Sequence, residues 1–142
     1  MLTVRHVLEK KPHALRAIRP EAPVLDAIRL MAEHHVGALV VMQQDELLGI
    51  VSERDYARKV ILLGRSSAHT AVREIMTAPV ITVSLLSTLD ECMRVVTQHR
   101  VRYLPVIENS RVIGVVSIGD LIKAVIEEQQ QTIEQLESYI HS

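Results

Sequence analysis

Two stretches of the chain place a serine three residues before an aspartate where a helix would begin: Ser52-Glu53-Arg54-Asp55 and Ser117-Ile118-Gly119-Asp120. Two kinds of chemistry suit that spacing. One is local, because serine at an N-cap with an acid at the third helical position satisfies orphan N–H groups as a capping box and complements the helix dipole. The other is recognition, because an ionised carboxylate accepts two hydrogen bonds side by side from a paired donor. Arg54 adds a cation inside the first motif, at a helix N-terminus suited to anions. Its counterpart in the second motif is Gly119, so the copies differ. Arg58, Lys59 and Arg100 stand nearby in sequence. Each of them, taken alone, is also what an ordinary solvated surface shows.

Other reactive residue types form no constellation. His34, His35 and His99 fall at helix ends with no Cys pair or carboxylate at ligand spacing, so they read as surface histidines and no metal is expected. Cys92 stands on the apolar face of a helix, which makes it a core residue. No P-loop, other Gly-rich phosphate loop or Ser-His-Asp spacing occurs. No catalytic residue is therefore identified, and the expectation is a binding protein.

Those motifs must be held by a framework, and the composition limits what it can be. With 142 residues the chain makes one ordinary domain or two small ones that share a core. Hydrophobic residues make up 48%, which is enough for a filled interior. A net charge of −1 gives no broad grip on nucleic acid or an anionic membrane. There is no Phe or Trp, and the tyrosines are Tyr56, Tyr103 and Tyr139, so a stacking platform for single strands is missing. The single cysteine allows no internal disulfide. The N-terminal MLTVRHVLEKK lacks a signal-peptide core, and no run of about 18 apolar residues is present. A cytoplasmic protein is the expectation.

The chain repeats itself. A shift of 65 positions lays Val24–Asp55 on Leu89–Asp120 without a gap, and most differences exchange one apolar residue for another. Each copy opens with an apolar helical stripe: Val24, Ala27, Ile28 and Met31, then Leu89, Cys92, Met93 and Val96. Two strands follow, Ala38–Met42 and Leu47–Val51, matched by Tyr103–Ile107 and Val112–Val116. Polar residues at 43–46 and 108–111 suit hairpin turns. Extended pieces near Arg16–Arg19 and Ile81–Val83 add an edge strand to each copy. Residues 64–72 read as a linker, with 1–63 as the first repeat including an N-terminal helix, 73–128 as the second, and 129–142 as a helical extension. Ala71–Met76 reads as a short helix echoing Val4–Glu9. Ile126, Ile133, Leu136 and Ile140 mark one face of the extension and call for a partner surface in the other repeat or a second subunit. Neither copy has residues enough for a stable core by itself, so a pseudo-two-fold pair packed through its sheets, with two equivalent clefts, is expected.

His35-Val36-Gly37-Ala38-Leu39-Val40-Val41 with Gly49-Ile50-Val51-Ser52-Glu53-Arg54-Asp55, and Arg100-Val101-Arg102-Tyr103-Leu104-Pro105-Val106 with Gly114-Val115-Val116-Ser117-Ile118-Gly119-Asp120, resemble the CBS domain family, whose tandem pair is called a Bateman module. Met76-Thr77-Ala78-Pro79 is similar to the family's repeat opening. The resemblance covers roughly residues 11 to 126 and extends to small bacterial proteins made of this module alone. It implies an α/β (α+β) fold of tandem β-α-β-β-α repeats and dimerisation into a flat disc. It also implies adenosyl ligands: AMP, ADP, ATP, NAD or S-adenosylmethionine.

By that resemblance Asp55 and Asp120 accept both ribose hydroxyls, with Ser52 and Ser117 assisting. Arg16, Ala17, Val36, Gly37 and Ala38 then serve adenine in the cleft of Asp120, within reach of Tyr103. Ile81, Thr82, Val101 and Arg102 are their counterparts for Asp55, and Ile50 and Val115 complete the apolar slots. Arg54, Arg58, Arg100 and Arg102 are the phosphate candidates. Without the resemblance, the Val and Ala positions would read as plain core. The expected function is an adenine-nucleotide sensor, with AMP as the first ligand to test, that acts as a homodimer on a protein in trans, with NAD open as the ligand of a second site. The alternatives are a dimerisation scaffold that binds no ligand and, behind it, a small nucleotide hydrolase.

Overall fold

The computed structural model of the chain describes residues 1–11 and 15–141; residues 12–14 and 142, which fall within the first repeat and the extension set out above, lie outside them. The described chain is mixed α/β and divides into two compact units, Leu15–Ile81 and Met1–Ala14 with Thr82–Ser142.

In Leu15–Ile81 the apolar stripe of α2 (Val24–His34) buries Val24, Ala27 and Met31. These pack with Leu39, Val41, Val51, Val60, Val72 and Ile75 into one cluster. The sheet runs β1 (Ala17–Ile18), β2 (Ala38–Gln43) and β3 (Glu46–Ser52). Strand β1 is parallel to β2, which is antiparallel to β3. A two-residue turn at Gln44-Asp45 closes the hairpin, with Gln44 at φ +54°. Helix α3 (Glu53–Tyr56) follows β3, and its next turns, Ala57–Ile61, are π-helical rather than α-helical. The Leu62 N–H accordingly reaches back to the Ala57 carbonyl.

The second unit repeats this plan in the same register. Helix α4 (Leu89–His99) buries Leu89, Cys92 and Val96, and β4 (Tyr103–Glu108) pairs antiparallel with β5 (Arg111–Ser117). The irregularity at Val41/Met42 recurs at Val106/Ile107. Helices α2 and α4 end alike, at His35 and Arg100, both left-handed with φ +54°. Burial and the Glu91 charge push the Cys92 thiol up to about 11, so the core reading of this residue holds.

The structure corrects three details of the local reading. The edge piece at Ile81–Val83 is no strand: Val83 alone bridges to Val106, the counterpart of the Ile18–Val41 pair in β1. The helix at Ala71–Met76 shrinks to a single 3-10 turn, Val72–Glu74. The segment read as a linker is also partly core, since Thr70 and Val72 are buried.

The compact units do not follow sequence order. Residues 73–81, placed above with the second repeat, complete the first: Thr77 bridges to Ile50, and Ile75 lies in the first cluster. The N-terminal helix α1 (Val4–Glu9), placed above with the first repeat, belongs to the second unit. Its Val4 N–H donates to the Ser87 carbonyl, and Leu8 packs against Gly114 in β5. The physical reason is coverage, because each hairpin needs an apolar segment over its outer strand and a neighbouring stretch of chain supplies it.

Helix α5 (Ile118–His141) ends the fold. Leu121 and Ala124 are its buried residues, and beyond them the extension leaves the unit. Among the described residues no helix is long and apolar enough to cross a membrane.

Candidate functional site

Both Ser-x-x-Asp motifs form the reciprocal cap that their spacing allows. In the first, the Asp55 N–H donates to Ser52 Oγ (3.1 Å), while the Ser52 N–H and hydroxyl donate to Asp55 Oδ2 (3.0 Å each). In the second, the Asp120 N–H donates to Ser117 Oγ (3.1 Å) and the Ser117 N–H to Asp120 Oδ2 (2.9 Å). The cap orients each carboxylate at the start of its helix. The preceding turn is held identically in both copies. The Glu53 N–H donates to the Gly37 carbonyl (3.0 Å) and the Ile118 N–H to the Arg102 carbonyl (2.8 Å). Two elements that are distant along the chain, the strand entry and the helix start, thus converge beside each aspartate.

The aspartates differ in their remaining partners. Asp55 Oδ1 accepts from Thr77 Oγ1 (3.4 Å) and pairs with Lys59 Nζ (3.2 Å). Asp120 Oδ2 accepts from Lys11 Nζ (2.7 Å), which also donates to the Val115 carbonyl (2.8 Å). Sequence reading missed all three partners, Thr77, Lys59 and Lys11. Lys59 had a local signal, the i,i+4 spacing from Asp55. Lys11 had none, since it meets Asp120 only because α1 joins the second unit.

Burial alone would raise the Asp120 carboxyl, but the Lys11 ammonium and the Ser117 N–H outweigh it and hold the group below the usual carboxylate range. A carboxyl depressed on folding stabilises the protein above the ordinary aspartate range, and that stability is lost as pH falls through the depressed value. Lys11→Met is therefore expected to lower stability at pH 7 by up to about 1 kcal/mol, the range of partly exposed ion pairs. The gap from the parent chain should close as pH falls below about 4. Urea melts at pH 7 and under acid check this, and a gap independent of pH would refute it.

Of the other predicted residues, Leu15–Ile81 brings together Arg16, Ala17, Val36, Gly37, Ala38, Ile50, Ser52, Arg54, Asp55 and Arg58, with Ile81 at its end. Ala17 pairs with Val40, and the Val40 N–H donates to the Arg16 carbonyl (3.3 Å), so the first two lie on the sheet edge. Ala38 opposes Ser52 across the hairpin. The second unit holds Thr82, Arg100, Val101, Arg102, Tyr103, Val115, Ser117 and Asp120, and Tyr103 opposes Ser117 at the same register position. Arg54, Arg58, Arg100 and Arg102 are exposed. Among the described residues no group of three His, Cys, Asp or Glu could hold a metal ion.

Comparison with known proteins points one way. A family model described as the CBS domain matches residues 2–61 and again 72–127. The chain is 44% identical over 122 residues to the mitochondrial CBS domain-containing protein CBSX3 of Arabidopsis thaliana, covering 82% of this chain but only 59% of that protein. It is 31% identical over 104 residues to the CBS domain-containing protein YhcV of Bacillus subtilis, covering 73% of this chain and 74% of that one. A solved Burkholderia ambifaria protein, described as a signal-transduction protein with CBS domains, superposes with a TM-score of 0.85 at 49% identity, over 89% of this chain and 96% of its own. A hexameric CBS-CP12 protein from bloom-forming cyanobacteria superposes with a TM-score of 0.78 at 30% identity, over 85% of this chain and 70% of its own.

Proposed function

The chain belongs to the CBS domain family, which it matches twice, and on that premise we propose that it is a non-catalytic regulatory module that binds an adenine nucleotide at Asp55 and Asp120. The observation that carries the reading is the duplication of one acceptor geometry. Each carboxylate is fixed at a helix start by its own serine, next to a turn anchored on the Gly37 or Arg102 carbonyl. A cap alone requires neither the same anchored turn nor the recurrence of the motif in both copies. The carboxylate meets the ribose hydroxyls, backbone and apolar side chains of the strand entries meet adenine, and the exposed arginines meet phosphate.

AMP is the first candidate. ATP, NAD and S-adenosylmethionine share its adenosine half, and the unequal surroundings of the two aspartates allow different ligands at each. Binding shifts the population of repeat arrangements, and a protein acting in trans reads that state. A cytoplasmic homodimer is the form in which we place this activity. A scaffold without ligand is the second reading, favoured only by the fact that the Ser-x-x-Asp caps are complete in themselves.

Titration calorimetry with AMP, ATP, NAD and S-adenosylmethionine is the test, and heat from at least one of them is expected. Absence of binding by all four at millimolar concentration would leave the scaffold reading.

A further inference from the structure

The second match to the family model stops at residue 127, yet α5 runs unbroken to His141. This extension has one apolar face: Ile126 (59% exposed), Ile133 (48%), Leu136 (58%) and Ile140 (73%), with Ile122 (45%) leading into it. We propose that this face is the seam of a parallel two-stranded coiled coil with a second copy of the chain.

Spacing carries the first part of the argument. Ile122, Ile126, Gln129, Ile133, Leu136 and Ile140 succeed one another at intervals of four and three, which is the heptad alternation. Ile126, Ile133 and Ile140 occupy one seam position, and Ile122, Gln129 and Leu136 the other. Isoleucine at every first position with Leu136 at a second one suits two parallel strands, and the polar Gln129 in the seam selects register and a low oligomer state. Only an in-register, parallel copy sets Gln129 opposite Gln129, where each amide supplies the other's donor and acceptor. An antiparallel copy would set it against an isoleucine of the other seam position.

Charge carries the second part. Glu127, Glu128 and Glu134 lie off the seam, and the cross-strand flanking pairs of a parallel dimer, Val125 with Gln130 and Thr132 with Glu137, oppose no like charges. The off-seam face is already in use. Glu127 pairs with Lys10 (3.2 Å), and Glu128 accepts from the Leu2 N–H (3.2 Å). Those contacts turn the seam away from the chain's own α1. Residues 129–141, all exposed, make a helical stretch that is marginal in water alone, so its helicity calls for a partner.

The test uses single-cysteine chains in a Cys92→Ala background, taking the residue of the matching position in the first repeat. Ile126→Cys and Leu136→Cys, near the two ends of the seam, should each oxidise to an interchain disulfide. Ile133→Glu should weaken self-association in sedimentation about tenfold or more and lower the helical circular-dichroism signal, while the urea midpoint of the rest of the chain stays unchanged. Failure of either cysteine to crosslink, or self-association unmoved by Ile133→Glu, overturns the proposal. Since no nucleotide is present, the outcome is independent of the ligand reading.

Discussion

Gly49→Ala is expected to destabilise the chain by about 1–3 kcal/mol, the usual cost of overpacking, while Gly114→Ala at the matching position changes stability by less than about 1 kcal/mol. The two glycines occupy the same register in β3 and β5, each opposite a buried valine, Val41 or Val106. Their neighbours differ. A methyl group on Gly49 would lie 2.7 Å from Met76 Sδ and 2.9 Å from the Thr77 carbonyl oxygen. That carbonyl accepts from the Ile50 N–H (3.1 Å), and the Thr77 N–H donates to the Ile50 carbonyl (2.8 Å), so it cannot retreat without giving up both bonds. A methyl on Gly114 would meet only the end of the Leu8 side chain, at 3.2 Å, which a rotamer change relieves. There the alanine also restrains the unfolded chain, a small gain that offsets the contact. Urea melts of both variants against the parent check the asymmetry, and equal costs would contradict the placement of Thr77 on the edge of β3. The Gly49 variant should also disturb Asp55, since Thr77 Oγ1 is one of its donors.

That asymmetry marks what the sequence could and could not reveal. The 3.6 and 2.0 periods of apolar residues located α2, α4 and the four hairpin strands to within a residue or two, because those periods follow directly from burying one face. The caps were legible as well, since serine and aspartate three apart have a local geometric meaning. What periodicity cannot state is which hairpin an apolar segment covers. Val4, Val7 and Leu8 advertise a buried face, and nothing in their spacing says that it closes on β5 and α5 rather than on the adjacent repeat. The contact of Lys11 with Asp120 is lost to sequence reading for the same reason. The π-helical turn at Ala57–Ile61 has no signature that we can identify, and nothing in the structure explains it.

The same partners decide how the aspartates should behave as ligand groups. Asp55→Ala and Asp120→Ala are each expected to weaken adenosine binding at their own site about tenfold or more, given roughly 1.5–3 kcal/mol for a charge-assisted hydrogen bond. The sites should not be equal. Both carboxylate oxygens of Asp55 already serve the protein, Oδ2 through Ser52 and Oδ1 through Thr77 and Lys59. A ribose must compete with those donors. At Asp120 the competing donors are Lys11 and the Ser117 N–H, both on Oδ2. The two sets of donors differ in type and number, so the two sites should differ in affinity. Asp120→Ala and Asp55→Ala should each abolish one phase of a nucleotide isotherm and leave the other. Each alanine also removes half of a helix cap, worth about 1 kcal/mol, so folding must be monitored beside binding. Asp→Asn controls for this, because the amide oxygen can still accept the cap bonds while the charge that strengthens the ribose bonds is gone. Unchanged affinity in both alanine variants would reduce Ser-x-x-Asp to a capping motif, whereas loss of affinity in the asparagine variants without loss of stability separates recognition from capping.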